Sequence, residues 1–164
     1  MSILIRPIEE KDNVKLAGLI RSVLTEHRMN KPGTVYTDPT TDNLFDLFKI
    51  NNSCYWVVEQ GDAILGGCGL YPTEGLPKNC VELVKLYLSQ ELRGLGIGKK
   101  LMEMCTEAAL NLGFTQIYLE SMPELNSAVG LYEKLGYSTL NKPMGNSGHF
   151  ACDLWMVKTL NSAL

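Results

Sequence analysis

The sequence has few of the features that mark membrane, secreted, metal-binding or nucleic-acid-binding proteins. No apolar run reaches the eighteen or so residues of a membrane-spanning helix, and the first apolar stretch meets Arg6 and Pro7 too early for a secretory signal. The five cysteines lie at least twelve positions apart, which fits neither a zinc knuckle nor a redox pair and predicts free thiols. With 15 basic against 18 acidic residues, no broad positive field is available for nucleic acid. We therefore expect a cytoplasmic protein that binds no membrane, nucleic acid or metal.

The 164 residues, of which 45% are hydrophobic and 20% charged, suit one globular domain spanning residues 1–164. Apolar alternation predicts strands at Ile3–Ile8, Cys54–Gln60, Ala63–Tyr71, Val81–Leu88, Thr115–Ser121 and within His149–Leu160. Helical spacing predicts helices after Asp12, around Asn43–Lys49, after residue 96 and from Asn126, with a loop at His27–Thr41. Hairpin and crossover connections then give an α/β fold class, with a central mixed sheet flanked by helices.

Three glycines stand at every second position in "LRGLGIGKK", directly before a helical pattern. Glycine costs backbone entropy, so such a cluster suggests that a ligand approaches the backbone closely. The free N–H groups and the dipole of a helix N-terminus favour an anion, which makes a phosphate the candidate ligand. Neither common nucleotide pattern fits, because Arg93 replaces the first glycine of a Walker loop and Lys99 replaces the last glycine of G-x-G-x-x-G.

The pattern R-x-x-G-x-G, formed by Arg93, Gly96 and Gly98, resembles the pyrophosphate loop of the GNAT superfamily of acetyl-CoA-dependent N-acetyltransferases. A second block, "NSAVGLYEKLGY" at Asn126–Tyr137, resembles the second motif of that superfamily in its asparagine, its Leu-Tyr pair and its Gly-aromatic end. One helix and one strand separate the two blocks, as in the family. The resemblance covers essentially the whole chain.

The resemblance implies an N-acetyltransferase that uses acetyl-CoA as cosubstrate, without a metal. It implies that strands Val81–Leu88 and Thr115–Ser121 splay apart to hold the pantetheine arm. The arm and the acetyl carbonyl would bind the backbone of Leu86, Tyr87 and Leu88. The pyrophosphate would bind mainly the backbone of Arg93, Gly94, Leu95, Gly96, Ile97, Gly98 and Lys99. Asn126 matches a position that often contacts the CoA arm, and it would also serve as a helix N-cap worth about 1 kcal/mol.

Proton transfer requires an acid for the departing thiolate and a base for the attacking amine. Tyr132 matches the tyrosine proposed as the general acid in many relatives, and its alternative role is that of a core aromatic residue. Glu82 is a carboxylate in an otherwise apolar strand, near the place where several relatives carry a general base. Glu120 on the facing strand is the rival base. Solvent is a third alternative, because an amine with a pKa near 8 is about one-tenth neutral at pH 7.

The acceptor site is predicted from two loops. "EHRMNKPGTVY" carries Arg28, Lys31 and Tyr36 in a region that often closes over the acceptor in this fold, and His149 precedes the last strand. Together with Glu120, these residues are our candidates for acceptor contacts. Arginine beside lysine would receive a carboxylate, which predicts a small amine such as an amino acid or a short peptide. The alternative is two solvated loop cations.

Two other functions stay open from the sequence. One is acetylation of a protein lysine or N-terminus, and the other is a non-catalytic module that senses acyl-CoA. The acidic composition favours a small-molecule amine as partner, and the intact second block favours catalysis over sensing. The sequence identifies neither the amine nor the acyl chain, and it leaves a homodimer open.

Overall fold

A computed structural model of the protein describes residues 2–122 and 126–161, except for the side chains at positions 126 and 127. The strands are β1 (Ile3–Pro7), β2 (Cys54–Gln60), β3 (Ala63–Tyr71), β4 (Cys80–Leu88), β5 (Gln116–Ser121), β6 (Ser138–Leu140) and β7 (Leu154–Thr159). The helices are α1 (Asn13–Glu26), α2 (Leu44–Leu47), α3 (Ile97–Asn111) and α4 (Asn126–Lys134). In this part of the chain, no helix is long and apolar enough to cross a membrane.

The seven strands form one sheet in the order β1-β2-β3-β4-β5-β7-β6. Neighbouring strands are antiparallel except β4 and β5, which are parallel because α3 carries the chain back across the sheet between them. The predicted mixed sheet is therefore confirmed. The hairpin of β2 and β3 has the bounds that apolar alternation predicts.

β4 and β5 separate soon after they begin to pair. Their register holds only three residue pairs and ends at Glu82 opposite Tyr118, whereas β4 continues to Leu88. Beyond Glu82, no strand in the described part of the chain pairs with the edge of β4 that faces β5. The splayed strands that the resemblance implies are thus confirmed.

A β-bulge in β4 coincides with this separation. Gly67 and Gly69 of β3 pair with Tyr87 and Val84 of β4, so β4 carries one more residue than β3 over the same stretch. Lys85, inside the bulge, has a φ of 54°, in the left-handed region that residues other than glycine rarely adopt. The usual alternation of side chains along the strand is therefore broken at Lys85.

Tyr55 of β2 holds the bulge from the neighbouring hairpin. Its hydroxyl donates a hydrogen bond to the carbonyl of Lys85 at 2.7 Å, and its ring is buried. A Cβ atom on Gly67 would lie 2.5 Å from this ring, and one on Gly69 would lie 2.6 Å from it. Glycine at both positions therefore makes room for the tyrosine that fixes the backbone of Lys85.

Apolar side chains fill both faces of the sheet. On one face, α3 and α4 pack over β3, β4, β5 and β7 through Leu101, Met102, Cys105, Ala109, Tyr132, Val81, Leu83, Ile117, Leu119 and Met156. On the other face, α1 and α2 pack over β2 and β3 through Leu16, Ile20, Leu24, Leu44, Phe48, Tyr55, Val57 and Ile64. Full burial of one such large apolar side chain contributes roughly 1.5–3 kcal/mol. The described residues therefore form one domain around a single sheet.

Three details of the sequence prediction were wrong. The helix around Asn43–Lys49 is only one turn, at Leu44–Leu47. The short strand β6 was not predicted, whereas β7 lies within His149–Leu160 with His149 before it, as expected. Helical spacing predicts that α3 buries Met104 and Leu112, but it buries Met102 and Ala109 instead, because the sheet covers an adjacent stripe of its surface.

The buried hydroxyl of Tyr137 yields a stability prediction. Tyr137 is 5% exposed, and its hydroxyl has no hydrogen-bond partner among the described residues. An unpaired buried hydroxyl is destabilising, so Tyr137→Phe should leave the free energy of unfolding unchanged or raise it by up to about 1 kcal/mol. The matched variant Tyr55→Phe loses the hydrogen bond to the carbonyl of Lys85 and should lower the free energy of unfolding by about 1–2 kcal/mol. Urea denaturation measures both, and an equal loss in the two variants would contradict this account.

Candidate active site

The glycine loop between β4 and α3 presents unpaired backbone N–H groups. Gly94 and Gly96 both have a φ of 79°, and a Cβ atom on either would meet no other atom within 4 Å. The first N–H bond of α3 runs from Lys100 to the carbonyl of Gly96, at 3.1 Å. The N–H groups from Gly96 to Lys99 therefore have no backbone acceptor in the described part of the chain. An anion at this helix end would meet several donors and the positive end of the dipole.

A groove of about 350 Å³ runs along this loop. It is lined by Val23, His27, Leu86, Tyr87, Leu88, Leu92, Arg93, Gly94, Gly96, Ile97, Gly98, Lys99, Ala128, Leu131 and Tyr132. The groove thus joins the loop, the free edge of β4 and helix α4. Nine of the ten CoA-binding residues expected in β4 and the loop line this groove, and the exception is Leu95, which is exposed.

Arg93 braces the loop. Its guanidinium pairs with Glu26 of α1 and donates to the carbonyl of Leu88 at 3.0 Å. The hydrogen bond from Arg93 holds the pKa of Glu26 below its usual range. Arg93 therefore ties the loop to α1 and to the end of β4. Because the guanidinium of Arg93 is held by these partners, Lys99 is the other cationic side chain of the loop that lines the groove.

A smaller cavity, of about 70 Å³, lies where β4 and β5 separate. It shares Leu86, Tyr87 and Tyr132 with the groove, so Tyr132 stands where the two spaces meet. Tyr132 is 6% exposed, and its hydroxyl has no hydrogen-bond partner among the described residues. Burial raises the pKa of this hydroxyl, so it carries its proton at neutral pH. The hydroxyl of Tyr132 is therefore available to donate its proton where the two spaces meet.

An outer cavity of about 470 Å³ lies beyond the splayed strands. It shares Glu82, Val84, Lys85 and His149 with the smaller cavity, so the three spaces adjoin one another in a row, which we call the path. Its wall is completed by Asp38, Thr40, Leu47, Phe48, Tyr71, Pro72, Thr73, Glu74, Asn146 and Ser147.

Glu82 lies at the junction of the small and outer cavities. It is 4% exposed, and its Oε1 accepts a hydrogen bond from the Thr73 hydroxyl at 2.5 Å. Burial raises its pKa to about 7, against the opposing effect of the Thr73 bond. Near neutral pH, this carboxyl therefore exchanges readily between its ionised and protonated forms.

Other charged groups of the path are held by neighbours. Asp38 contacts His149 at 2.9 Å, and this bond holds the pKa of Asp38 well below its usual range. Glu120 accepts hydrogen bonds from the hydroxyls of Tyr118 at 2.7 Å and Ser147 at 2.5 Å. Within residues 2–122 and 126–161, no group of three or more His, Cys, Asp or Glu side chains could hold a metal ion.

The structure thus brings together Tyr132, Glu82, Glu120 and His149, together with Leu86, Tyr87 and Leu88. Three other expected acceptor residues lie elsewhere. Arg28 and Lys31 are exposed and line none of the three spaces, and the carbonyl of Tyr36 accepts from Arg21 at 3.2 Å. Asn126 begins α4, but its side chain lies outside the described residues, so its role stays a prediction.

Sequence reasoning missed Asp38, Thr73 and Lys85 as members of the path. Lys85 left a signal, since a lysine interrupts the apolar strand "VELVKLYL". Asp38 and Thr73 left none, because each is a polar residue in a polar loop whose position depends on the tertiary fold.

Comparison with known proteins identifies the family. The profile described as the Acetyltransferase (GNAT) family matches residues 20–137. The chain is 35% identical over 156 residues to the uncharacterised N-acetyltransferase YjgM of Escherichia coli K12, covering 94% of this chain and 93% of YjgM.

Solved structures share the fold. A GNAT-family acetyltransferase from Staphylococcus aureus Mu50 superposes with a TM-score of 0.86 at 20% identity, over 98% of this chain and 100% of that one. The putative acetyltransferase YncA of Salmonella typhimurium, solved with its cofactor acetyl-CoA, gives 0.72 at 17% identity, over 100% and 97%. On the sequence match and the shared fold, the chain belongs to the GNAT family of acetyltransferases.

Proposed function

We propose that this acetyl-CoA-dependent N-acetyltransferase acetylates the primary amine of a small molecule by direct attack on the thioester. The observation that carries the proposal is the row of three adjoining spaces: the groove, the small cavity with Tyr132 in the gap between β4 and β5, and the outer cavity with Glu82. A donor and an acceptor that enter from opposite ends would meet in the gap. The outer cavity has the size of a small-molecule site, which favours a small amine over a protein chain.

The donor would lie in the groove. Its pyrophosphate would accept from the free N–H groups of the glycine loop, and its pantetheine arm would lie along the free edge of β4 at Leu86–Leu88. The acetyl group would then reach the bulge, where the backbone of β4 is not paired with β5. N–H groups at such a position stabilise the negative charge that develops on the carbonyl oxygen in the transition state.

The two proton transfers fall to Glu82 and Tyr132. As the amine nitrogen bonds to the acetyl carbon, Glu82 takes the proton that the amine must lose. As the C–S bond breaks, Tyr132 donates its proton to the sulfur, so free CoA leaves as a thiol. A base whose pKa lies near the working pH is well suited to this task.

A prediction on donor binding uses two adjacent lysines. Lys99 lines the groove and Lys100 does not, although both are exposed on the first turn of α3. Lys99→Glu should raise the Kd for acetyl-CoA about tenfold at low salt through repulsion of the phosphates, whereas Lys100→Glu should change it less than about threefold. An acid in the first turn suits the helix dipole, so both variants should fold. Calorimetric titration measures both Kd values, and equal effects would argue against the loop as the phosphate site.

A prediction on the general acid tests the proposed reaction directly. Wild-type protein should release thiol from acetyl-CoA only when a reactive small amine is present, which separates an enzyme from a sensor. Tyr132→Phe should lower kcat by about 10²-fold and leave the Kd for acetyl-CoA unchanged, since only the proton donor is lost. Tyr137→Phe removes a hydroxyl from the neighbouring ring, 6.1 Å away between centroids, and should keep kcat. Full activity in Tyr132→Phe would reduce Tyr132 to a core residue.

A prediction on the general base uses the pH–rate profile. Below pH 7, both Glu82 and the amine lose reactivity on protonation, so log(kcat/KM) should rise with a slope of about 2, and with a slope of about 1 above pH 7. Glu82→Gln should remove the change of slope near pH 7, so that the slope is about 1 throughout and the rate is lower. Glu120→Gln is the matched control and should keep the break near pH 7. If Glu120→Gln loses it instead, Glu120 is the base.

A further inference from the structure

The ammonium of Lys85 has no direct partner in the wall of the outer cavity. Lys85 is partly buried and lines both the small and the outer cavity. Across the described residues, it forms no ion pair within 4.0 Å and no hydrogen bond. A partly buried ammonium that lacks an acceptor in the chain keeps its N–H groups available to an acceptor from outside the chain.

The nearby carboxylates are not acceptors for this ammonium. Asp38 and Glu82 attract Lys85 through space, but each is bonded elsewhere. Asp38 accepts from His149 at 2.9 Å and from the hydroxyl of Thr40 at 2.7 Å, and Glu82 accepts from Thr73. The nitrogen of Lys85, which lines this cavity, therefore keeps its three N–H donors without an acceptor among the described residues.

The bulge explains why Lys85 lies in this wall. In a regular strand, Glu82 and Val84 share one side and residue 85 takes the other. The extra residue in β4 and the φ of 54° break this alternation, so Glu82, Val84 and Lys85 line the same cavity. A proton acceptor for an amine and a cation for an anion thus stand three positions apart on one strand.

We propose that Lys85 binds the carboxylate of the acceptor, so that the acceptor is an amino acid whose ammonium group faces Glu82. Leu47, Phe48 and Tyr71 line the same cavity and fit an apolar side chain. This inference rests on the proposed function. It moves the anion receiver predicted at Arg28 and Lys31 to a residue that lines the path.

The test compares L-leucine with 3-methylbutylamine, its decarboxylated counterpart, as acceptors in a thiol-release assay. The readout is the ratio of kcat/KM for leucine to that for the amine, corrected in the wild type for the fraction of neutral amine. Lys85→Met should lower this ratio at least tenfold, mainly through a higher KM for leucine, and Lys85→Arg should retain part of it. Because the intrinsic reactivity of each amine is the same for every variant, it cancels between them. Melting temperature and the Kd for acetyl-CoA verify that the variants fold, and Lys85→Gln replaces Lys85→Met if that variant does not fold.

Each outcome decides the proposal. A wild-type ratio near one, or an unchanged ratio in Lys85→Met, overturns it. A ratio that falls in Arg28→Ala and not in Lys85→Met returns the anion receiver to the loop of Arg28. If the enzyme turns over amines that lack a carboxylate but none that carry one, the role of Lys85 is overturned while the proposed acetyltransferase activity is supported. Release of no thiol with any amine is instead the failure of the proposed function itself.

Discussion

The hydrogen bond from the Tyr55 hydroxyl to the carbonyl of Lys85 is the contact on which the site depends. It holds a residue other than glycine in the left-handed region, and Gly67 and Gly69 leave room for the ring that makes it. With the bulge fixed, β4 bends away from β5 after Glu82, and the gap opens between the groove and the outer cavity. A strained backbone position of this kind persists only where several surrounding contacts hold it in place.

Burial and charge act together on the ionisable groups along the gap. Burial raises the pKa values of Glu82 and Tyr132, and it lowers that of Lys85. Asp38 keeps a depressed pKa because His149 donates to it. Neighbouring groups thus differ in the pH at which they change charge, as acid–base chemistry near neutrality requires.

Local patterns in the sequence were enough to predict much of the fold and to point to the groove end of the candidate site. The hairpin of β2 and β3, the glycine loop and the second motif each depend on residues close in the chain, so sequence reasoning could locate β2, β3, the start of α3 and the candidate acid Tyr132, whose catalytic role stays a prediction. On the acceptor side His149 was among the candidates, but Asp38, Thr73 and Lys85 were missed, because the cavity joins residues from four separate segments. Arg28 and Lys31 form a basic cluster in sequence, but a cluster does not indicate which way the loop faces. The bulge that turns Lys85 into the cavity depends on Tyr55, thirty positions earlier.

The two ends of the path differ in the kind of atom that they offer. The glycine loop presents main-chain N–H groups, which are the same whatever side chains the loop carries. The outer cavity presents side chains, several of them on loops that meet through the bond between Asp38 and His149. Under the proposed roles of the two ends, point mutations can alter the acceptor end while the donor end stays intact. A scaffold built this way can acquire new acceptors in evolution while its binding site for the cosubstrate stays the same.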